Sequence, residues 1–290
     1  MLDLNLLADG GFRWSTVAAT LVSLVLFGAF FVLPLYFQSV LGADAFGTGL
    51  RLMPMMLGLM VAARLSDRLV ARTGPRAVIV LGLALLAAAL LIGSRTEVSD
   101  GYALAAVWLT LLGVGMGLSL ITAQATALLT LPPARAGVGS GLLQTFRQVG
   151  GAIGVAVFGS LLANSYRGVL DTGGLAADAA ERAGRSVVAA DAVAAATGDP
   201  ALAASAHSAY VHGMTVVLLV SGVIAVLSAV LVALRMPATE PAGAAVGAAG
   251  TGGTAAGPAK TAAGTGAGPA ATAGEPGEPG QAVVPATDHG

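Results

Sequence analysis

The sequence predicts an all-α integral membrane protein, with six transmembrane helices forming one bundle and a disordered C-terminal tail. Three observations carry that prediction. Of 290 residues, 56% are hydrophobic and only 10% are charged, and the apolar residues fall in long blocks, a multispanning composition rather than a soluble one. Six such blocks are long enough to cross a hydrocarbon core about 30 Å thick at about 1.5 Å per residue. From Pro237 onward Ala, Gly, Thr and Pro dominate, with hardly any large apolar residue. Such a tail buries too little surface to offset its ordering entropy, so residues 236–290 are expected to be disordered.

Composition also excludes function classes. A net charge of −1 argues against a nucleic-acid partner. The absence of cysteine removes disulfides, thiolate metal sites and thiol nucleophiles. His207 and His212 read as interfacial polar residues, because no acidic or cysteine partner shares their spacing; no metal site is expected. Met1 to Arg13 carries Asp3 and Asp9 where a signal peptide has a basic region, so the first 14 residues read as a cytoplasmic segment.

The spans follow in order. Arg13 and Trp14 mark a water boundary, and the first span covers about 15–41, with a kink expected at Pro34. The second covers about 49–65, with Arg51 snorkelling at its start and Pro54 one turn in. The loop after it holds Arg64, Arg68, Arg72 and Arg76 at four-residue spacing; on one helix these would line a single cationic face beside Asp67. The third span covers about 77–93. The fourth, about 102–126, contains Gly113, Gly115, Gly117 and Gln124. The sixth covers about 210–234. Between the fifth and sixth, residues 164–209 form a polar outer stretch whose Ala-rich part, 174–196, predicts one helix stopping at Gly198-Asp199-Pro200.

The fifth span, about 137–163, carries the most chemistry. Arg147 lies about ten residues inside it, near the middle of the hydrocarbon. A lone cation there costs on the order of 3 kcal/mol. It must therefore face other helices or a wet cavity, with Gln148 beside it or Gln124 on the preceding span as partners. Gly137 and Gly141, and then Gly150 and Gly154, are four apart and present small faces for helix packing.

Sidedness comes from the basic residues. Six spans put both termini on one side. That side receives the arginine-rich loop, Arg13, Arg135, Arg235 and Lys260, against Arg51, Arg95 and three arginines of the outer stretch. The short-loop excess predicts a plasma-membrane protein with both termini cytoplasmic.

Taken together, these stretches resemble the second half of a major facilitator superfamily transporter of the fourteen-span drug:proton antiporter branch. LDLNLLADGGFRW resembles the linker into that half, LPLYFQSVLGADAFGTGLRLMP its first two spans, and GVGSGLLQTFRQVGGAIGVAVFGSLL its penultimate span. The arginine-rich loop resembles the family's gating motif, Gly-x-Leu-x-Asp-Arg-x-Gly-x-Arg. Residues 67–76 match it at Leu69, Arg72, Gly74 and Arg76, and depart at Asp67 and Ala71.

The resemblance implies one bundle of a major facilitator fold, export of drugs or other small organic compounds by alternating access, and use of the proton gradient, with no bound cofactor. Arg147, Gln148, Gln124 and Gln38 are then expected along the substrate path, and Asp67, Arg68, Arg72, Gly74 and Arg76 in the gating loop. Alternating access needs an opposing bundle, so the expected partner, besides the lipid bilayer and a small organic substrate, is an N-terminal half of six to eight spans. The alternatives are a second copy of the chain or a truncated, non-transporting membrane protein; the first residues read as mid-protein sequence following a convenient methionine. No carboxylate lies in the core of a span, and arginine does not deprotonate in proteins, so proton coupling is not expected from this chain alone. An enzyme is not expected either. No nucleophile stands beside a base, and the GVGMG run sits inside an apolar span where close helix contact is its expected use.

Overall fold

The computed structural model describes residue 6, residues 8–97 and residues 102–237. The tail expected to be disordered lies outside the described residues except for its first two. Ten α-helices and no strand occur among the described residues: α1 Gly10–Leu35, α2 Ala45–Arg51, α3 Met53–Thr73, α4 Pro75–Gly93, α5 Tyr102–Met116, α6 Thr122–Leu129, α7 Pro133–Val169, α8 Ala177–Ala183, α9 Val187–Thr197 and α10 Pro200–Arg235. Six segments are long and apolar enough to cross a membrane: α1 with the π-helical turn after it, α2 with α3, α4, α5 through α6, α7, and α10. An all-α, six-span membrane fold is therefore what the chain adopts.

Helix ends follow local chemistry. Asp9 caps α1 by accepting from the Phe12 N–H at 2.8 Å, and Asp44 caps α2 by accepting from the Gly47 N–H at 2.7 Å. Pro34 lies inside α1, and the helix passes into a π turn, Tyr36–Val40, just beyond it. Proline has no N–H to give the preceding turn, so a register change is an economical response. Gly198 ends α9 in the left-handed conformation, φ 69°, and Asp199 then caps α10 through the N–H groups of Ala201 and Leu202.

The second span runs over Ala45–Thr73 rather than about 49–65, and three boundaries further along also differ from the sequence expectation. The single Ala-rich helix expected over 174–196 is two helices, α8 and α9, because Ser186 caps a new helix by accepting from the Ala189 N–H at 3.2 Å. α10 begins at Pro200, ten residues before the expected sixth span. α7 begins at Pro133 and runs 37 residues, about 55 Å, well beyond the hydrocarbon thickness.

In lipid the hydrophobic effect does not drive helices together, so close contact must. Small residues provide it here. α3 meets α5 where Gly58 faces the Thr110 carbonyl and Gly113 faces the Met55 carbonyl, and α4 meets the fourth span where Gly82 faces Ser119 and Gly115 faces Leu86. The GVGMG run is thus a helix-contact surface. α1 meets α7 at Gly150 and Gly154, whose missing side chains leave room for the backbone of Thr20 and Leu24. Gly137 and Gly141 have nothing within 4 Å of where a Cβ would sit, so the expected packing face there is not used among the described residues. In sequence around the bundle, α3 packs on α5, α5 on α4, α4 on α10, and α10 and α1 on α7. Fully buried Trp108, Tyr36, Phe12, Phe37 and Phe158 fill the interior.

A methyl group forced between two backbones costs about 1–3 kcal/mol. Gly113→Ala and Gly154→Ala should each lower the thermal unfolding temperature of the detergent-solubilised chain, whereas Gly137→Ala should leave it unchanged or raise it. Equal effects at all three positions would contradict this packing.

Candidate functional site

Arg147 sits on α7 fourteen residues after Pro133, about 21 Å along the helix. Its guanidinium is held by three neutral acceptors. Nε donates to the Ser23 hydroxyl at 3.2 Å, and one terminal nitrogen donates to the side-chain oxygens of Gln144 at 3.0 Å and Gln124 at 3.3 Å. Ser23 lies thirteen residues into α1, about 20 Å, so both helices place the group well inside their spans.

The glycines explain how these residues meet. A Cβ at Gly150 would stand 2.7 Å from the Thr20 carbonyl oxygen, so the two backbones touch. Ser23 is one turn from Thr20, and Arg147 one turn from Gly150; close contact at one pair brings the next within hydrogen-bonding reach.

Gln124 joins the cluster as expected, and Gln148 does not. A residue next in sequence points about 100° around the helix. Gln148 is accordingly exposed and makes no side-chain hydrogen bond among the described residues, whereas Gln144, three residues before Arg147, shares its face. Gln38 lies fifteen residues beyond Ser23, about 22 Å along the same span, so the structure does not bring it to Arg147. Sequence reasoning missed Ser23 and Gln144. The i,i+3 spacing was a usable signal for Gln144; for Ser23 there was none, because the contact crosses between helices.

Arg147 makes no ion pair among the described residues. Carboxylates there occur at Asp9, Asp44, Asp67, Glu97, Asp171, Asp178, Glu181, Asp191 and Asp199; all lie at helix ends, in loops or in the outer helices except Asp67, which lies on α3 among its arginines. Arg185 pairs with Glu181 at 2.9 Å, and the His207 ring nitrogen Nε2 lies 3.0 Å from the Asp191 carboxylate. The second gives His207 an acidic neighbour that the spacing of the histidines does not reveal. Asp191 reaches it because α9 folds back on α10, sixteen residues away. No group of histidine, cysteine and acidic side chains that could hold a metal ion occurs among the described residues.

The expected gating loop is a tight turn. α3 stays helical to Thr73, and Gly74 then adopts φ 81°, ψ 160°, a conformation essentially restricted to glycine, before Pro75 opens α4. Arg64, Arg68 and Arg72 therefore share α3, exposed beside Asp67, but Arg76 belongs to α4. Four arginines do not line one helix, because the Gly74-Pro75 break redirects the fourth. Arg76 instead donates to the Ala233 carbonyl near the end of α10. Arg13 and Arg235 both lie over the Trp14 ring, at 5.6 and 6.0 Å from its centre. Asp67 forms no ion pair among the described residues.

Two spans are poorly covered. In their most apolar stretches only 22% of residues in α2–α3 and 28% in α7 are buried, against 44–61% in the other four. These same two have the lowest mean hydropathy of the six. α7, which exposes Gln144 and Gln148, suits protein or water beside it, whereas α3 bares an apolar face of Met56, Leu57, Met60 and Val61.

The sequence matches the family profile described as Major Facilitator Superfamily over residues 3–155. It is 31% identical over 169 residues to the Multidrug resistance protein B homolog of Mycobacterium tuberculosis strain H37Rv, covering 57% of this chain and 31% of that protein. It is 30% identical over 237 residues to the Tetracenomycin C resistance and export protein of Streptomyces glaucescens, covering 78% and 44%. Against the Lincomycin resistance protein LmrB of Listeria monocytogenes it is 29% identical over 174 residues, covering 59% and 36%. The chain thus spans less than half the length of each of these relatives.

Removing an acceptor from a half-buried cation costs about 1–3 kcal/mol. Gln144→Leu should therefore destabilise the chain in lipid nanodiscs, while Gln148→Leu should leave its unfolding temperature unchanged. The reverse order, measured by thermal denaturation, would show that the cluster is misassigned.

Proposed function

The chain belongs to the major facilitator superfamily, and from that premise we propose that it forms one six-helix lobe of an exporter of drugs or other small organic compounds. The observation that carries the reading is Arg147, a cation well inside α7, one of the two least covered spans, held by neutral groups only. Intramembrane charges of this kind mark substrate or ion paths. Relatives named for multidrug resistance and for export support the direction of transport.

Alternating access in this superfamily moves one lobe against another around a central site. The second lobe is an N-terminal bundle of six to eight spans that covers α3 and α7, and the substrate moves along Arg147 and Gln124, with Gln148 and Gln38 further along the path. The turn at Gly74, with Asp67, Arg68, Arg72 and Arg76, works at the inner gate. The arginine-rich ends face the cytoplasm and the protein resides in the plasma membrane, following the positive-inside rule. Where a proton drives the cycle, its carrier belongs to the second lobe, because coupling needs a group that titrates near working pH.

Two measurements test this. In the assembly purified from native membranes, Arg147→Ala should abolish gradient-driven dye efflux while leaving assembly intact; unchanged efflux removes Arg147 from the path. Crosslinking in those membranes should capture a heteromeric or covalently continuous second bundle, and a homodimer alone would replace the second lobe with a second copy. Vesicles holding only this chain should show no proton-driven efflux.

A further inference from the structure

A guanidinium has five N–H donors in a planar fork. At Arg147 the Nε donor goes to Ser23 and the first terminal nitrogen serves Gln144 and Gln124, so the second terminal nitrogen has no acceptor among the described residues. The three bonds hold the plane of the group and thus aim the free nitrogen. Neutral acceptors solvate the charge without balancing it, and a low dielectric makes the missing anion matter.

Apolar groups flank this point on one side. Ser23, Phe27 and Phe31 are four residues apart and form one stripe of α1. Both rings stand at the seam with α7: a Cβ at Gly151 would lie 2.9 Å from the Phe27 ring, and one at Gly159 would lie 3.6 Å from the Phe31 ring. Yet Phe27 is 41% exposed and Phe31 43% exposed, so each keeps an open surface beyond the seam. Val149 and Ile153, also exposed, continue α7 alongside. A fixed cation with an unused donor therefore stands at one end of an aromatic strip.

Resting on the exporter reading, we propose that this seam binds aromatic organic acids, the ionised acid group on the free nitrogen of Arg147 and the ring system against Phe27 and Phe31. A charge-assisted hydrogen bond rewards an anion and leaves an uncharged isostere with an unbalanced cation. Aromatic contact holds either compound, and the charge chooses between them.

The test uses the chain in zwitterionic-lipid nanodiscs, with protein-free discs as the blank, and measures equilibrium binding of 2-naphthoate and 2-naphthamide at neutral pH. The expected result is an acid bound about tenfold tighter than the amide, as one charge-assisted bond supplies. Arg147→Gln should erase the preference, and Phe27→Ala should weaken both compounds alike. Equal affinities in the unaltered chain, or a preference that survives Arg147→Gln, overturn the proposal. Should Arg147→Gln bind neither compound, Arg147→Lys decides: a smaller acid preference supports the assignment, and equal binding overturns it. Repeating the titration on the two-lobed assembly separates the sources of the anion. A retained preference keeps the seat for substrate, and its loss gives the seat to a carboxylate of the second lobe and overturns the substrate assignment. If the assembly exports dyes but no acid preference exists, this inference fails and the exporter reading stands; if the preference exists without transport, the exporter reading fails alone.

Discussion

The bundle is built around the need to hold a positive charge inside hydrocarbon. A guanidinium at the depth of Arg147 is tolerated only with hydrogen-bond acceptors around it and without lipid against it. Ser23, Gln124 and Gln144 meet the first requirement from three helices. Their convergence depends in turn on the approach of α1 to α7 at Gly150 and Gly154. Side chains at those two glycines would push the helices apart and strand the cation, so packing and polarity are one design here rather than two.

The second requirement shapes the outside of the lobe. α2–α3 and α7 are the spans with the least apolar character and the least coverage, and α7 carries Gln144, Arg147 and Gln148 on or near its open side. Along α4 and residues 213–234 of α10 the exposed side chains, Leu81, Leu219, Leu227 and Val230 among them, are aliphatic. α4 and α10 thus suit lipid, and the polar residues exposed on α7 suit protein or water. At the arginine-rich end, Gly74 turns α3 sharply into α4, and Arg76 ties that turn to the end of α10. The turn is thereby anchored to the bundle on one side while Arg64, Arg68 and Arg72 remain free to meet another surface.

Much of this was legible in the sequence because membranes impose length and polarity rules that single residues reveal. The six spans followed from apolar block lengths, and Arg147 stood out because arginine is costly wherever a span is deepest. Gln124 was legible for the same reason, as a polar residue late in an apolar helix. Local geometry beyond one helix was not. Ser23 is a small hydroxyl among many, and only the register of α1 against α7 makes it an acceptor. Adjacency to Arg147 suggested Gln148, whereas helical direction puts Gln144 on the face of Arg147. The four-residue rhythm of Arg64, Arg68, Arg72 and Arg76 suggested one helix, and the Gly74-Pro75 break overrode it. Ser186 likewise divided an alanine-rich stretch whose propensity alone favoured continuity.

That α3 and α7 meet another bundle is the claim most directly open to measurement. The chain has no cysteine, so single-cysteine spin labels can be placed at Met60 on α3 and Val149 on α7, and at Leu81 on α4 and Leu227 on α10. Collision rates with dissolved oxygen, which concentrates in acyl chains, then report lipid contact in native membranes. Low oxygen contact at residues 60 and 149 with high contact at residues 81 and 227 is the expected result. Equal, high contact at all four positions would mean that lipid surrounds the lobe, and a two-lobed exporter would be ruled out.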